Sequence, residues 1–116
     1  YQVVTELNTM LEKKGVSYVF ENLEKVASKL QKHSKSLKEL NTYGYVLLHA
    51  KAYQKAIAVF TINTQLFPEN KNGYDSLAEA YFTVEDYTNA QKYYVKVLEL
   101  DANDTNAKTM LAKMKK

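Results

Sequence analysis

Residues 40–66 read LNTYGYVLLHAKAYQKAIAVFTINTQL, and residues 74–100 read YDSLAEAYFTVEDYTNAQKYYVKVLEL. Shifted by 34 residues, Leu40, Tyr43, Gly44, Leu47, Ala56 and Phe60 fall on Tyr74, Leu77, Ala78, Tyr81, Ala90 and Tyr94. The same shift carries Tyr53 onto Tyr87 and Leu66 onto Leu100. Size is kept at each place, large on large and small on small, so one packing arrangement is written twice. The spacing predicts a pair of helices per copy, because the apolar positions follow the 3.6-residue period. Gly44 and Ala78 in each first helix, with Ala56 and Ala90 in each second, let two antiparallel helices approach closely. Tyr43, Leu47, Tyr53 and Phe60 fill the space around that approach, as Leu77, Tyr81, Tyr87 and Tyr94 do in the next copy. Pro68 stops the first copy, because proline disfavours helical geometry in the residue before it.

Working outward, Val3, Val4, Leu7, Met10 and Leu11 share one face of a helix from about Gln2 to Lys14, which Gly15 ends in a left-handed conformation. Ser17 is expected to cap a second helix that carries Val19, Phe20, Leu23, Val26, Ala27 and Leu30. Ser36 followed by Glu39 has the form of a capping box at the head of the next helix. After Asp101, Asn103 and Asp104, a last helix places Met110, Leu111 and Met114 on one face, with Lys113, Lys115 and Lys116 polar. The expected organisation is all-α: an N-terminal helical hairpin over residues 1–35, two repeats over 36–104 (about 37–70 and 71–104), and a C-terminal capping helix over 105–116.

Composition agrees. Three Gly and one Pro are too few for the tight turns of an all-β chain, and 46% apolar with 25% charged residues is the balance of a folded domain. The formal charge of +3 comes from 16 lysines without a single arginine, the residue best suited to bidentate phosphate and guanine contacts, so nucleic acid is not the expected partner. Lys29, Lys32, Lys35 and Lys38 cluster where a helix ends and read as a solvated face near the negative end of the helix dipole. Six of the ten tyrosines occupy repeat positions, where packing explains them; Tyr45, Tyr18 and Tyr93 remain for other work. The chain has no cysteine, which excludes disulfides and thiolate chemistry. No stretch approaches the roughly 20 apolar residues of a membrane span, and residues 1–11 lack the basic start of a signal peptide. Opening on Tyr1 and not Met, the chain is expected to be a piece of a longer polypeptide, and its compartment is left unassigned.

A 34-residue unit with a large residue, a Leu-Gly-like pair, then Tyr, Ala, an aromatic and a closing Pro resembles the tetratricopeptide repeat (TPR) family over residues 37–104. The resemblance implies helical hairpins stacked as a short right-handed α-solenoid. Departures are Lys51 and Glu85, where the family often has Gly in the turn, Asn63 in place of a small residue, and Ala102 in place of the closing Pro. More closely, the runs Asn41-Thr42-Tyr43-Gly44-Tyr45 and Tyr74-Asp75-Ser76-Leu77 look like a C-terminal extension found behind bacterial serine hydrolases of the esterase and β-lactamase-like kinds.

In such stacks the first helices line the inner face, and the residues placed there are Lys38, Asn41, Tyr45, Leu48, His49, Asn72, Asp75, Glu79 and Phe82. Tyr45, Leu48 and Phe82 beside acidic Asp75 and Glu79 suit a protein or peptide segment with apolar side chains flanked by Lys or Arg. They do not suit the acidic tails held by chaperone-binding repeats. The alternative partner is a serine-hydrolase domain upstream in the same polypeptide, which this domain would regulate or stabilise.

No catalytic residue, cofactor or metal is expected. His33, His49, Ser28, Ser34, Ser36 and Ser76 lie in no nucleophile elbow, Gly-rich phosphate loop or paired-histidine motif. Ser76, inside a helix, reads as a surface hydroxyl, His33 as a solvated side chain, and His49 as a groove residue one turn after Tyr45.

Overall fold

The computed structural model describes residues 2–115; Tyr1 and Lys116, the ends of the expected hairpin and capping segments, lie outside the described residues. The described residues form eight α-helices and no strand: α1 (Gln2–Lys14), α2 (Val16–Glu21), α3 (Leu23–Leu30), α4 (Leu37–His49), α5 (Tyr53–Leu66), α6 (Lys71–Thr83), α7 (Tyr87–Leu100) and α8 (Thr105–Met114), with a 3-10 turn (Gln31–His33) after α3.

The shift of 34 residues relates α4 to α6 and α5 to α7 at both ends of each helix. It also relates the residues that precede them, Ser36 to Asn70 to Asp104 and Ala52 to Asp86. The two inter-helix turns are the same object. Lys51 and Glu85 take left-handed φ values of 65° and 64°. In the first turn Lys51 N–H donates to Leu48 O at 3.0 Å and Ala52 N–H to Leu47 O at 2.9 Å; in the second Glu85 N–H donates to Phe82 O at 3.0 Å and Asp86 N–H to Tyr81 O at 2.9 Å. This is the paired hydrogen-bond closure that normally recruits glycine, here imposed on two charged residues.

Packing follows from the small residues. A Cβ on Gly44 would run into the Phe60 ring, so glycine is what lets α4 lie against α5. Residues 56–64 of α5 are buried on every side, because α4, α6 and the α2–α3 segment all pack on it. Buried Asn63 is half satisfied: its Nδ2 donates to Leu37 O at 2.9 Å, holding the head of α4, while its Oδ1 is buried without a hydrogen-bond partner among the described residues. The apolar core forms three clusters in sequence order: α1 to α5 around Leu7, Leu30, Leu40 and Ile62; α4 to α6 around Phe60 and Leu77; and α6 to α8 around Tyr94, Val97 and Ala107. The molecule is correspondingly elongated, 40 × 25 × 23 Å.

Four local expectations are corrected. The second helix is not continuous: Asn22 leaves helical geometry at φ −131°, its Nδ2 donating to Tyr18 O at 2.9 Å, and separates α2 from α3. Gly15, at φ 90°, both ends α1 and precedes α2, so Ser17 is not a cap. The capping box is half made: Ser36 gives no side-chain cap, while Glu39 accepts from Lys35 N–H at 3.2 Å. His33 is not simply solvated; its Nδ1 lies 2.8 Å from Glu6 Oε1, joining the 3-10 turn to α1. The hairpin then docks with α1 on α4, where Tyr43 Oη donates to Asn8 Oδ1 at 2.6 Å, and with α2 and α3 on α5.

At the other end, Asp104 caps α8 by accepting from Ala107 N–H at 2.9 Å. Lys71 Nζ bridges Asp101 at 2.5 Å and Asp104 at 2.8 Å, tying the start of α6 to the α7–α8 loop. Those hydrogen bonds, to Asp101 foremost, push the Lys71 pKa up and hold both carboxyls below the usual aspartate range.

Candidate interaction groove

Helices α4 and α6 lie side by side, and the trough between them is a hollow of about 510 Å³ lined by Ser36, Leu37, Lys38, Asn41, Tyr45, Asn70, Asn72, Asp75 and Ser76. Five of the nine residues expected at the inner face are brought together there: Lys38, Asn41, Tyr45, Asn72 and Asp75. The rest divide. Glu79, exposed one turn beyond Asp75, accepts from Tyr45 Oη at 2.7 Å and so closes one end of the trough. His49 is exposed, its ring 6.1 Å from that of Tyr45.

Leu48 was expected on the open face and is instead buried in the second core cluster. The reason is geometric. Leu40, Gly44 and Leu48 are spaced by four and form one stripe, which packs on α5 and whose end at Leu48 also meets α6. Phe82 is likewise not the open anchor expected. It is half-buried, with its ring 5.4 Å from Tyr87, and it lines neither hollow beside α4. Tyr87 is the more exposed of that pair, at 44%, although its place in the repeat predicts packing.

Ser76 corrects the reading of a surface hydroxyl. It is buried, and its Oγ donates to Asn41 Oδ1 at 2.6 Å, so α4 and α6 are pinned by a polar contact in the floor of the trough. The sequence carries no signal for this: the counterpart of Ser76 34 residues earlier, Thr42, is exposed.

The trough has a definite electrostatic character. Asp75 Oδ1 accepts from Asn106 Nδ2 at 2.9 Å, and partial burial, with Asp104 and Glu79 nearby, raises its pKa above the usual aspartate value. Burial also holds the Tyr45 phenol protonated far above the ordinary tyrosine range, with Glu79 as an acceptor adding to it. Neither Asp75 nor Glu79 forms an ion pair among the described residues, whereas Asp101 and Asp104 share Lys71. Asp75 in the trough and Glu79 one helical turn beyond it are therefore two carboxylates without an ion-pair partner among the described residues.

Among the described residues, no group of three or more His, Asp or Glu side chains is arranged to hold a metal ion, and no helix is long and apolar enough to cross a membrane. No model of a known protein family matches the chain, and no curated protein matches it.

Proposed function

We propose that the chain is a non-catalytic protein-interaction module of the tetratricopeptide type, its helical hairpins stacked as a short α-solenoid, and that it binds an extended protein segment in the trough between α4 and α6. The observation that carries this reading is the trough itself: a hollow of mixed polar and apolar lining whose walls are successive first helices and whose lining includes Lys38, Asn41, Tyr45, Asn72 and Asp75. The repetition of helix ends and turns at 34 residues supports the repeat class. Polar side chains that line a trough without filling it suit hydrogen bonding to an extended backbone, while Tyr45 offers a ring edge at the floor.

In this non-catalytic reading Ser76 and the two histidines have other partners. Ser76 Oγ spends its proton on Asn41, His33 is engaged with Glu6, and His49 lies against Tyr45. Nucleophilic catalysis needs a hydroxyl within reach of a base that is itself oriented. Esterase and β-lactamase substrates should show no turnover above background, and turnover abolished by Ser76→Ala would refute that part of the reading.

The binding test is a selection of displayed random dodecapeptides on the whole chain, followed by calorimetry of the enriched sequences. Asn72→Trp, at an exposed position of the trough wall, fills the hollow from outside without disturbing the core. Enriched peptides should lose at least tenfold in affinity for this variant. Equal affinity would place the contact elsewhere on the molecule.

A further inference from the structure

The trough occupies only one flank of α4. On the other flank, toward α1, Thr42, Tyr43 and Val46 meet Val4 around a second hollow of about 520 Å³. Its character is opposite, with walls that are largely hydrocarbon. Val46 is 60% exposed, the most exposed large apolar side chain among the described residues. A lone surface valine needs no explanation. This one borders a concavity whose other wall, the Tyr43 ring, is fixed by the 2.6 Å bond from its hydroxyl to Asn8, so the hollow is preformed. Ser36 and Lys38 edge both hollows, so the two adjoin at the head of α4.

We propose that the two flanks of α4 are one site, which takes an extended segment bearing an aliphatic side chain, seated against Val46 and Val4, and a Lys or Arg, seated on Asp75 and Glu79. The inference rests on the reading of the chain as a segment-binding module. Charge complementarity selects the basic residue: neither Asp75 nor Glu79 is in an ion pair among the described residues, and Lys71, which acts on Asp75 from farther off, is itself held by Asp101 and Asp104. Lys38, exposed between the hollows, repels a cation placed beside it and leaves the α6 wall as the place for one. Shape selects the other: the hydrocarbon of Val4 and Val46 beside a fixed ring accommodates a branched aliphatic chain, and the carboxylate at its edge, Glu39, already accepts from Lys35 N–H.

The test uses a positional-scanning library of synthetic nonapeptides on the whole chain. The library should show preferences for one aliphatic and one basic position. Val46→Asp should erase the aliphatic preference and keep the basic one. The double substitution Asp75→Asn with Glu79→Gln should do the reverse, each costing about tenfold in affinity for the best peptide. Thr42→Lys, at an exposed position that closes the apolar hollow, repeats the first arm should Val46→Asp disturb the helix. Preferences that survive their own substitutions, or selection of acidic peptides, would overturn the inference while leaving the module reading intact, provided Asn72→Trp still weakens binding. Peptides indifferent to Asn72→Trp would remove both. Concentration-dependent dimerisation abolished by Val46→Asp would put a second copy of the chain on this flank and overturn the assignment.

Discussion

Lys51 and Glu85 show how strongly the repeat dictates local geometry, because each is held at a backbone conformation that costs an L-residue with a side chain about 1–2 kcal/mol. Glycine there removes that cost but gains freedom in the unfolded chain, so Lys51→Gly and Glu85→Gly should each stabilise by about 0.5–1 kcal/mol in urea titrations. Gly44 behaves oppositely. Gly44→Ala gains about 1 kcal/mol of helix propensity but drives a methyl into the buried Phe60 ring, where overpacking costs about 1–3 kcal/mol. Gly73→Ala, whose nearest neighbour is the end of the Leu37 side chain at 3.1 Å, should be neutral or stabilising. The pair of glycine variants checks the register directly. Titration gives a second residue-scale outcome. The Asp75 pKa is raised in the folded chain above 3.8, so its charged form is disfavoured and stability rises as pH falls through the folded value. Asp101 and Asp104 are lowered, so their contribution is present above 3.8 and is lost as pH falls through their folded values. Asp75→Asn, which keeps an acceptor for Asn106, should raise the midpoint at pH 7 and remove the gain on the acid side of neutrality. A pH profile of thermal midpoints identical to the parent would contradict this account of the trough. The Gly44–Phe60 contact was legible in sequence because a helix crossing leaves a size signature; the Ser76–Asn41 bond was not, because two polar residues 35 positions apart carry no such mark.

At the scale of the helix, sequence period located α1 and α4 to α8 and missed two features that periodicity does not encode. Asn22 interrupts an apolar pattern that continues through it, since a single side chain returning to Tyr18 O breaks the backbone without altering which residues are apolar. A single buried stripe per helix puts Leu48 and Ser76 on open faces, whereas α4 and α6 are covered from two sides by neighbours. The terminal helix illustrates the same point with a measurable result. Ala107 opens α8, a place where a larger residue would be harmless on an end-capping helix; in the structure it is as fully buried as Ala90 at the α6–α7 approach. Ala90→Leu and Ala107→Leu should therefore both destabilise, each by about 1–3 kcal/mol. Exposed Ala112→Leu should stay within about 0.5 kcal/mol of the parent. An Ala107→Leu variant as stable as Ala112→Leu would mean that α8 does not seat on α6 and α7 through its first turn.

Across the whole molecule, each core cluster is built from neighbours in sequence, and only a few side chains belong to two of them: Phe20 and Leu47 join the first to the second, and Tyr93 joins the second to the third. Where units contact only the next unit, stability approaches a sum of local terms and interface terms, and regions can open separately. The slender junctions predict graded opening here. Residues 56–64 of α5, enclosed by both flanking groups of helices, should show the slowest amide exchange, and α8 and the first turns of α1 the fastest. Truncations in the outer clusters should then act locally. Leu7→Ala, in the first cluster, removes a fully buried side chain at a cost of about 2–5 kcal/mol. It should accelerate exchange in α1 to α3 while leaving α7 and α8 protected. Val97→Ala, in the third cluster, should loosen α7 and α8 and spare α1 to α3. Tyr93, stacked on Tyr81 at 5.8 Å and facing Tyr74 at 6.4 Å, is the side chain through which the second and third clusters feel each other. Tyr93→Ala should lower protection in α6 as well as in α7. Native-state hydrogen exchange read by mass spectrometry on the four proteins decides the matter. A uniform increase in exchange across all helices in each variant would show one cooperative unit and remove the graded picture.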